Sequence, residues 1–187
     1  MSFKNYILCI AVLLFTTGCT FKTPEYKVDN NIVNKLNNYD LNKVSLSSDI
    51  NEISDESNYK LKIRAVDMIS SYGNNYSDYV SFSLKQQLSQ NDIYKENSNI
   101  IIKTKLIQND VDIWGFSTGS YIINVNFKIF KDGKIIYDKN IQNQHDFPSH
   151  FVGQIAIENA INNYPIAVQK VIAKFLTDED TIKSIKK

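Results

Sequence analysis

Apolar and polar residues alternate along two segments in the second half of the chain, residues 99–113 and 120–130. A period of two residues is typical of β-strands that bury one face and expose the other. Asp132-Gly133 then predicts a two-residue hairpin leading into a third strand, residues 134–144. The residues assigned to the buried face are Ile102, Thr104 and Leu106 in the first strand and Tyr121, Ile123, Val125, Phe127 and Ile129 in the second.

Two segments carry apolar residues at helical spacing instead. In the first, Tyr76, Val80, Leu84 and Leu88 lie four residues apart, with Asn75 or Ser77 available as the N-cap. The second is an apolar stripe from Ile157 to Phe175 that continues through Pro165. The stripe is unbroken at the proline, so we predict one kinked helix, although the hydrogen bond that proline removes permits two shorter helices.

An earlier strand is indicated by the alternation of Leu61, Ile63 and Ala65. The order of elements is therefore β-α-β-β-β-α, which predicts an α+β fold in two layers. We expect an antiparallel sheet of three to five strands, polar on its outer face, packed against two helices. This single domain is expected to cover residues 59–187.

The N-terminal region has the organisation of a bacterial signal peptide. Lys4 precedes an apolar run from Tyr6 to Phe15, which is shorter than the roughly 20 residues needed to span a bilayer. The run ends in small residues before Cys19, as in the lipobox of lipoproteins, although Thr16 stands where that motif has leucine. We therefore predict a signal peptide over residues 1–18 and a lipidated Cys19, carrying a diacylglycerol and palmitate-type acyl chains. An ordinary cleaved signal is the alternative.

Residues 19–58 are polar and rich in asparagine, and only residues 42–48 resemble a strand. We interpret this region as a polar tether between the lipidated Cys19 and the domain. Thr20 follows the cysteine, whereas lipoproteins retained at the inner membrane of enteric bacteria typically have aspartate there. This favours the outer membrane of a Gram-negative cell envelope, with the domain facing the periplasm.

Charge and cysteine content exclude several classes of function. Lys and Arg number 21 against 20 acidic residues, and removal of residues 1–18 takes away only Lys4, leaving 20 of each. A neutral chain has no electrostatic surface for nucleic acid, so we expect no nucleic-acid partner. The only cysteines are Cys9 and Cys19, so the domain has no disulfide and no Cys-based metal site.

The densest group of reactive residues is His145, Asp146, Ser149 and His150. A hydrolase would need the nucleophile held by its base, usually on a strained elbow such as G-x-S-x-G, which the chain lacks. Two histidines five residues apart also fall short of a zinc motif. We expect a strand-to-helix connection here and no catalytic residue.

Asp110 and Asp112 with Gly115 resemble a calcium loop only weakly, because Tyr121 stands where an EF-hand would have glutamate. We interpret this segment as a turn and predict no metal and no cofactor.

Three aromatic residues around this turn, Trp114, Phe116 and Tyr121, are candidates for contact with a partner, since aromatic residues are favoured at interfaces. The alternative is that Trp114 and Phe116 fold back onto the core.

Residues 64–88, 109–139 and 151–178 together resemble a group of small proteobacterial lipoproteins of unassigned activity, and more loosely the YajG-like lipoproteins. The resemblance rests on the order and pattern of elements. It implies an outer-membrane lipoprotein with an α+β domain, and it supplies no catalytic residues.

Two functions remain open at this point. The first is a non-enzymatic interaction module that serves a cell-envelope complex, with the membrane and another envelope protein as partners. The second is a carrier for a lipid or small apolar ligand, acting as an auxiliary component of envelope transport. An enzyme is the least supported class.

Overall fold

The structure is a computed structural model that describes residues 20–48, 56–73 and 75–187. The predicted signal peptide and Cys19 lie outside the described residues. The strands are β1 (Thr20–Lys22), β2 (Ser45–Ser48), β3 (Lys60–Ile63), β4 (Val66–Ile69), β5 (Ile100–Asp112), β6 (Thr118–Lys131) and β7 (Lys134–Pro148). The helices are α1 (Asn30–Leu36), α2 (Tyr76–Gln90), α3 (Gly153–Thr177) and α4 (Glu179–Ile185), and Glu56–Asn58 forms a short 3₁₀ helix.

The larger sheet has four strands in the order β2-β5-β6-β7. The long strands β5, β6 and β7 are antiparallel, and β2 adds to the edge in parallel with β5. All the residues assigned to the buried face of β5 and β6 are buried. Asp132 and Gly133 form the β6–β7 turn with φ of 51° and 79°, as that dipeptide predicts.

The α+β fold class is confirmed, with four helices in place of two. Helices α2 and α3 cover the apolar face of the larger sheet, where the rings of Phe127 and Phe175 stack with centroids 4.0 Å apart. The opposite face of this sheet carries polar residues such as Asn126, Lys128 and Asn140.

Helix α2 begins as its sequence indicates. The Asn75 side chain accepts a hydrogen bond from the Asp78 backbone N–H at 2.8 Å, which satisfies one of the free donors of the first turn. Gly73 just before it has a φ of 58°, and a Cβ there would lie 2.2 Å from Asp78 Oδ2.

Helix α3 continues through Pro165 as one helix of 25 residues. Of the two alternatives, the single helix is therefore observed. Ala156 and Ala160 are fully buried on its first half, so this half packs through small side chains. No helix in the described part of the chain is both long enough and apolar enough to span a membrane.

Residues 20–48 differ from the polar tether that we expected. They contribute β1, α1 and β2, and Ile32, Leu36 and Val44 belong to the core. The Tyr26 hydroxyl donates to the Gln87 side-chain oxygen on α2 at 2.9 Å. The surrounding asparagines conceal that Ile32 and Leu36 are four residues apart and so share one face of a helix.

The expected single strand at residues 61–65 is also corrected. The chain turns at Arg64 and Ala65, so β3 and β4 form a hairpin, and β1 pairs in parallel with β4 to complete a three-stranded sheet. Arg64 adopts a φ of 58°, which a non-glycine residue rarely does. The pattern of side chains gives no sign of this turn, because Gly, Asn and Asp are absent from it.

Candidate functional site

Exposed apolar side chains gather at one end of the larger sheet, in the β5–β6 loop and at the β7–α3 connection. We call this group the aromatic tip, and it consists of Trp114, Phe116, Phe151, Val152 and Ile155. Phe116 is 83% exposed, Trp114 74% and Phe151 69%. Large aromatic side chains are usually mostly buried, so their exposure here marks a candidate binding surface.

The β5–β6 loop has a fixed shape. Ile113 is buried and anchors the start of the loop, and the Trp114 backbone N–H donates to Asp112 Oδ1 at 3.0 Å. A Cβ at Gly115 would lie 2.2 Å from the Thr118 carbonyl oxygen, so the turn requires glycine. These contacts hold Trp114 and Phe116 on a tight turn at the surface.

The β7–α3 connection lies against this loop. The Ser149 backbone N–H donates to the Ser117 carbonyl at 2.9 Å. The Val152 backbone N–H donates to Nδ1 of His150 at 3.0 Å, and the His150 ring stacks on Phe151 with centroids 4.6 Å apart. The two loops therefore form one continuous surface.

Arg64, the only arginine of the chain, joins the two loops from the β3–β4 turn. Its guanidinium donates to the Ile113 carbonyl at 3.4 Å, to the His150 carbonyl at 2.6 Å and to the Phe151 carbonyl at 3.2 Å. The planar guanidinium presents several donors in a fixed geometry, so a single side chain holds both aromatic loops in place.

Among the predicted partner-contact residues, Trp114 and Phe116 are exposed, and Tyr121 is not. Tyr121 is fully buried and donates its hydroxyl to the Ala160 carbonyl at 2.9 Å. Its assignment as a contact residue is therefore wrong, because the period of β6 directs it to the core. It belongs to a buried cluster with Tyr76, Tyr79 and Tyr164, whose ring centroids are 4.9–5.4 Å apart.

The sequence pattern does not identify four residues of this site, Arg64, Phe151, Val152 and Ile155. Phe151 and Val152 are apolar residues that precede the apolar stripe of α3, so no predicted core position accounts for them. Apolar residues outside every predicted buried face are the signal that could have identified this pair. The role of Arg64 depends on contacts with residues 49 to 87 positions away in sequence, and no local pattern carries that information.

The reactive residues near the end of β7 do not converge. His145 and Asp146 are neighbours in a strand and therefore face opposite sides of the sheet. Asp146 accepts from Gln144 at 2.9 Å, and Ser149 donates to the Ile113 carbonyl at 3.5 Å. No Ser–His–Asp arrangement is formed by these residues.

His145 is buried between β7 and α3. The Lys170 ammonium group lies 2.8 Å from Nδ1, and Nε2 lies 2.9 Å from Asn163 Oδ1. Since an ammonium group can only donate, Nδ1 accepts, and Nε2 carries a hydrogen that it donates in a hydrogen bond to Asn163 Oδ1. Burial lowers the pKa of His145, and the Lys170 charge lowers it further. The ring is thus held neutral in a structural role.

The two carboxylates of the weak calcium-like pattern accept hydrogen bonds from neighbouring groups of the protein. Asp110 accepts from Gln108 Nε2 at 2.6 Å, and Asp112 accepts from the Trp114 N–H. Across residues 20–48, 56–73 and 75–187, no group of three His, Cys, Asp or Glu side chains is placed to hold a metal ion.

The described surface has several grooves, with volumes of about 350 to 480 Å³, and they are open to solvent. One of about 400 Å³ lies between residues 24–27 and α3 beside Pro165. Its lining mixes apolar residues such as Ile166 with Glu25 and Lys27. The grooves described here therefore do not enclose an apolar ligand.

No protein-family model matches the sequence, and no curated protein matches it. Among solved structures, the chain is similar to a Xanthomonas campestris protein of the family DUF330, with a TM-score of 0.55 and 11% identity over 85% of this chain and 93% of the other. It is also similar to a minor lipoprotein from Acinetobacter baumannii, with a TM-score of 0.50 and 12% identity over 80% of this chain and 98% of the other. At these identities the likeness shows a shared fold.

Proposed function

We propose that this chain is a lipoprotein of the bacterial cell envelope whose domain is a non-enzymatic interaction module. The observation that carries this proposal is the aromatic tip, a fixed surface of exposed apolar side chains on an otherwise well-packed domain. The lipobox-like residues before Cys19 and the fold shared with a minor lipoprotein support the lipid anchor. We place the anchor in the outer membrane and the domain in the periplasm, on the basis of Thr20 after the cysteine.

The anchor has a physical rationale. Each methylene of an acyl chain buried in the bilayer contributes about 0.8 kcal/mol, so several chains on one cysteine anchor a protein stably, whereas one chain holds it only marginally. The domain would then need no membrane-spanning segment of its own.

The anchor is tested by metabolic labelling with a fatty-acid analogue, followed by membrane fractionation. Cys19→Ala is expected to lose the label and release the protein from the membrane, whereas the matched control Cys9→Ala is expected to retain both. Cys9 lies within the predicted signal peptide, so it is absent from the mature chain. Unchanged membrane retention of Cys19→Ala would contradict the anchor.

We further propose that another envelope protein contacts the domain at the end opposite the aromatic tip. There the edge strand β7 exposes Ile135 to 53% and Ile136 to 42%, and an edge strand offers unpaired backbone groups to a partner. A photoreactive side chain at position 136 should crosslink to one specific envelope protein in intact cells. The same probe at Lys35 on α1 is the control, and equal products at both positions would refute this contact.

The non-enzymatic assignment rests on the separation of His145, Asp146 and Ser149 described above. A hydrolytic activity that disappears in His150→Ala, with the fold intact, would overturn it. The carrier function is less well supported, because the described grooves are open and partly charged.

A further inference from the structure

The aromatic tip is located where the lipid anchor enters the domain. Thr20 pairs with Asp67 across β1 and β4, and Asp67 pairs with Lys62 across β4 and β3. Thr20 therefore lies at the same height in the sheet as Lys62, two strands away. At a strand spacing of about 4.8 Å, the two residues are about 10 Å apart.

Arg64 lies two residues beyond Lys62, or about 7 Å along the strand, so Thr20 and Arg64 are separated by about 12 Å. Cys19 is the residue before Thr20 in the sequence. Because β1 runs parallel to β4, which starts at the β3–β4 turn, the start of β1 is at the same end of the sheet as Arg64. Arg64 directly holds the two loops of the aromatic tip.

We infer that the aromatic tip inserts into the surface of the lipid bilayer beside the acylated Cys19. This inference rests on the lipid anchor of the proposed function. Acyl chains on one residue leave a domain free to rotate, and a second contact by the loops that Arg64 holds would fix its orientation. Since the anchor makes this contact intramolecular, even a weak affinity of the tip for lipid is sufficient.

The chemistry of the tip suits lipid better than a charged partner. Tryptophan is favoured at the membrane interface, where its ring meets both headgroups and acyl chains. Phe116, Phe151, Val152 and Ile155 supply further apolar surface. The local charges are mixed, with Arg64 and exposed Lys62 against Asp112 and Glu158, so no strong attraction to a protein of one charge sign is expected.

Trp114 is the only tryptophan in the chain, so the fluorescence of the unlabelled protein reports on the tip directly. The mature protein, purified with its acyl chains, is reconstituted into vesicles of phosphatidylethanolamine and phosphatidylglycerol, with and without brominated acyl chains. Binding to vesicles is measured separately by flotation. The expected result is a blue shift of Trp114 emission and quenching by the brominated lipid.

Two double variants make the test specific. Phe116→Ser with Phe151→Ser removes apolar surface from the tip and keeps the reporter, so it should float with the vesicles but lose the blue shift and the quenching. Ile107→Ser with Ile166→Ser changes exposed apolar residues outside the tip and should behave as the wild type. Urea unfolding of both variants verifies that the domain remains folded.

The outcomes separate the two proposals. Protein that floats while Trp114 keeps a water-exposed emission would overturn the insertion of the tip and leave the anchor intact. Protection of Trp114 only in native membranes that contain envelope proteins would assign the tip to a protein partner and also overturn it. Protein that fails to float would overturn the anchor and the inference that rests on it.

Discussion

At the scale of single residues, Arg64 combines an unfavourable backbone conformation with favourable side-chain contacts. A φ of 58° costs a non-glycine residue free energy, and the guanidinium donates to three carbonyl groups in return. Arg64 therefore stabilises the aromatic tip rather than the core.

Replacement of Arg64 tests this role. Arg64→Gln should lower the free energy of unfolding by about 1–2 kcal/mol, as expected for charged donors at a partly exposed position. The loops should also become more mobile, which lowers the fluorescence anisotropy of Trp114. Lys62→Gln, a change at an exposed residue of the same hairpin, is the control and should alter neither quantity. Equal anisotropy in both variants would contradict the role of Arg64.

His145 makes stability depend on pH. Burial lowers the pKa of His145 in the folded chain, whereas in the unfolded chain it has its ordinary value near 6.5. The unfolded chain therefore binds the proton at higher pH, and the free energy of unfolding should fall as the pH drops below about 6.5 until the folded pKa is passed. Above pH 6.5 this contribution is fully present.

Urea unfolding at a series of pH values between about 8 and 5 measures this loss, since the carboxylates of exposed acidic residues stay ionised over most of that range. In His145→Gln, which cannot take up the proton, this part of the loss should disappear. His150→Gln, which leaves His145 in place, should show the same loss of stability at low pH as the wild type. A pH dependence that is identical in His145→Gln and the wild type would refute the assignment.

At the scale of elements, the packing of residues 20–48 changes the definition of the domain. Ile32 on α1 is 3% exposed, and its replacement by alanine should lower the free energy of unfolding by about 2–5 kcal/mol. Lys35→Ala on the exposed side of the same helix is the control and should have little effect. Equal, small effects of both changes in urea unfolding would indicate that α1 is only loosely attached.

The elements differ in how well the sequence predicts them, and the reason is physical. Strands β5 and β6 and helix α2 bury one face against the core, so their period of apolar residues identifies them. Strand β1 has three exposed residues and exists only because β4 pairs with it. Such elements depend on distant partners, which a local pattern does not show.

The same distinction applies to the candidate site. Trp114 and Phe116 were predicted as contact residues from their type and their position next to a turn. Tyr121 was predicted as a contact residue for the same reason. The alternation of β6 assigns it to the core instead, and Tyr121 is buried there. Phe151 joins the site through the pairing of Ser149 with Ser117 across two loops and through the hydrogen bond from Arg64, and neither contact is visible in the local sequence.

At the scale of the whole molecule, the chain is nearly neutral, so we expect the proposed membrane contact to depend little on salt concentration. If the tip inserts through apolar side chains, its quenching by brominated lipid should change little as salt is raised, because salt screens only electrostatic attraction. Replacement of the anionic phosphatidylglycerol by a neutral lipid should likewise have little effect. Loss of quenching at high salt would instead indicate a contact made by exposed lysines such as Lys62.

The length of β6 sets a distance in the envelope. Its 14 residues, at about 3.4 Å each, hold the Asp132-Gly133 hairpin about 44 Å from the aromatic tip. With the tip at the lipid surface, Ile135 and Ile136 would lie at a fixed height above the bilayer. Insertion of two residues into each of β6 and β7 would raise this height by about 7 Å and keep every side chain on its face, whereas a single residue would invert the faces. With both proposed contacts in place, the length of the strands would determine how far from the membrane a partner binds.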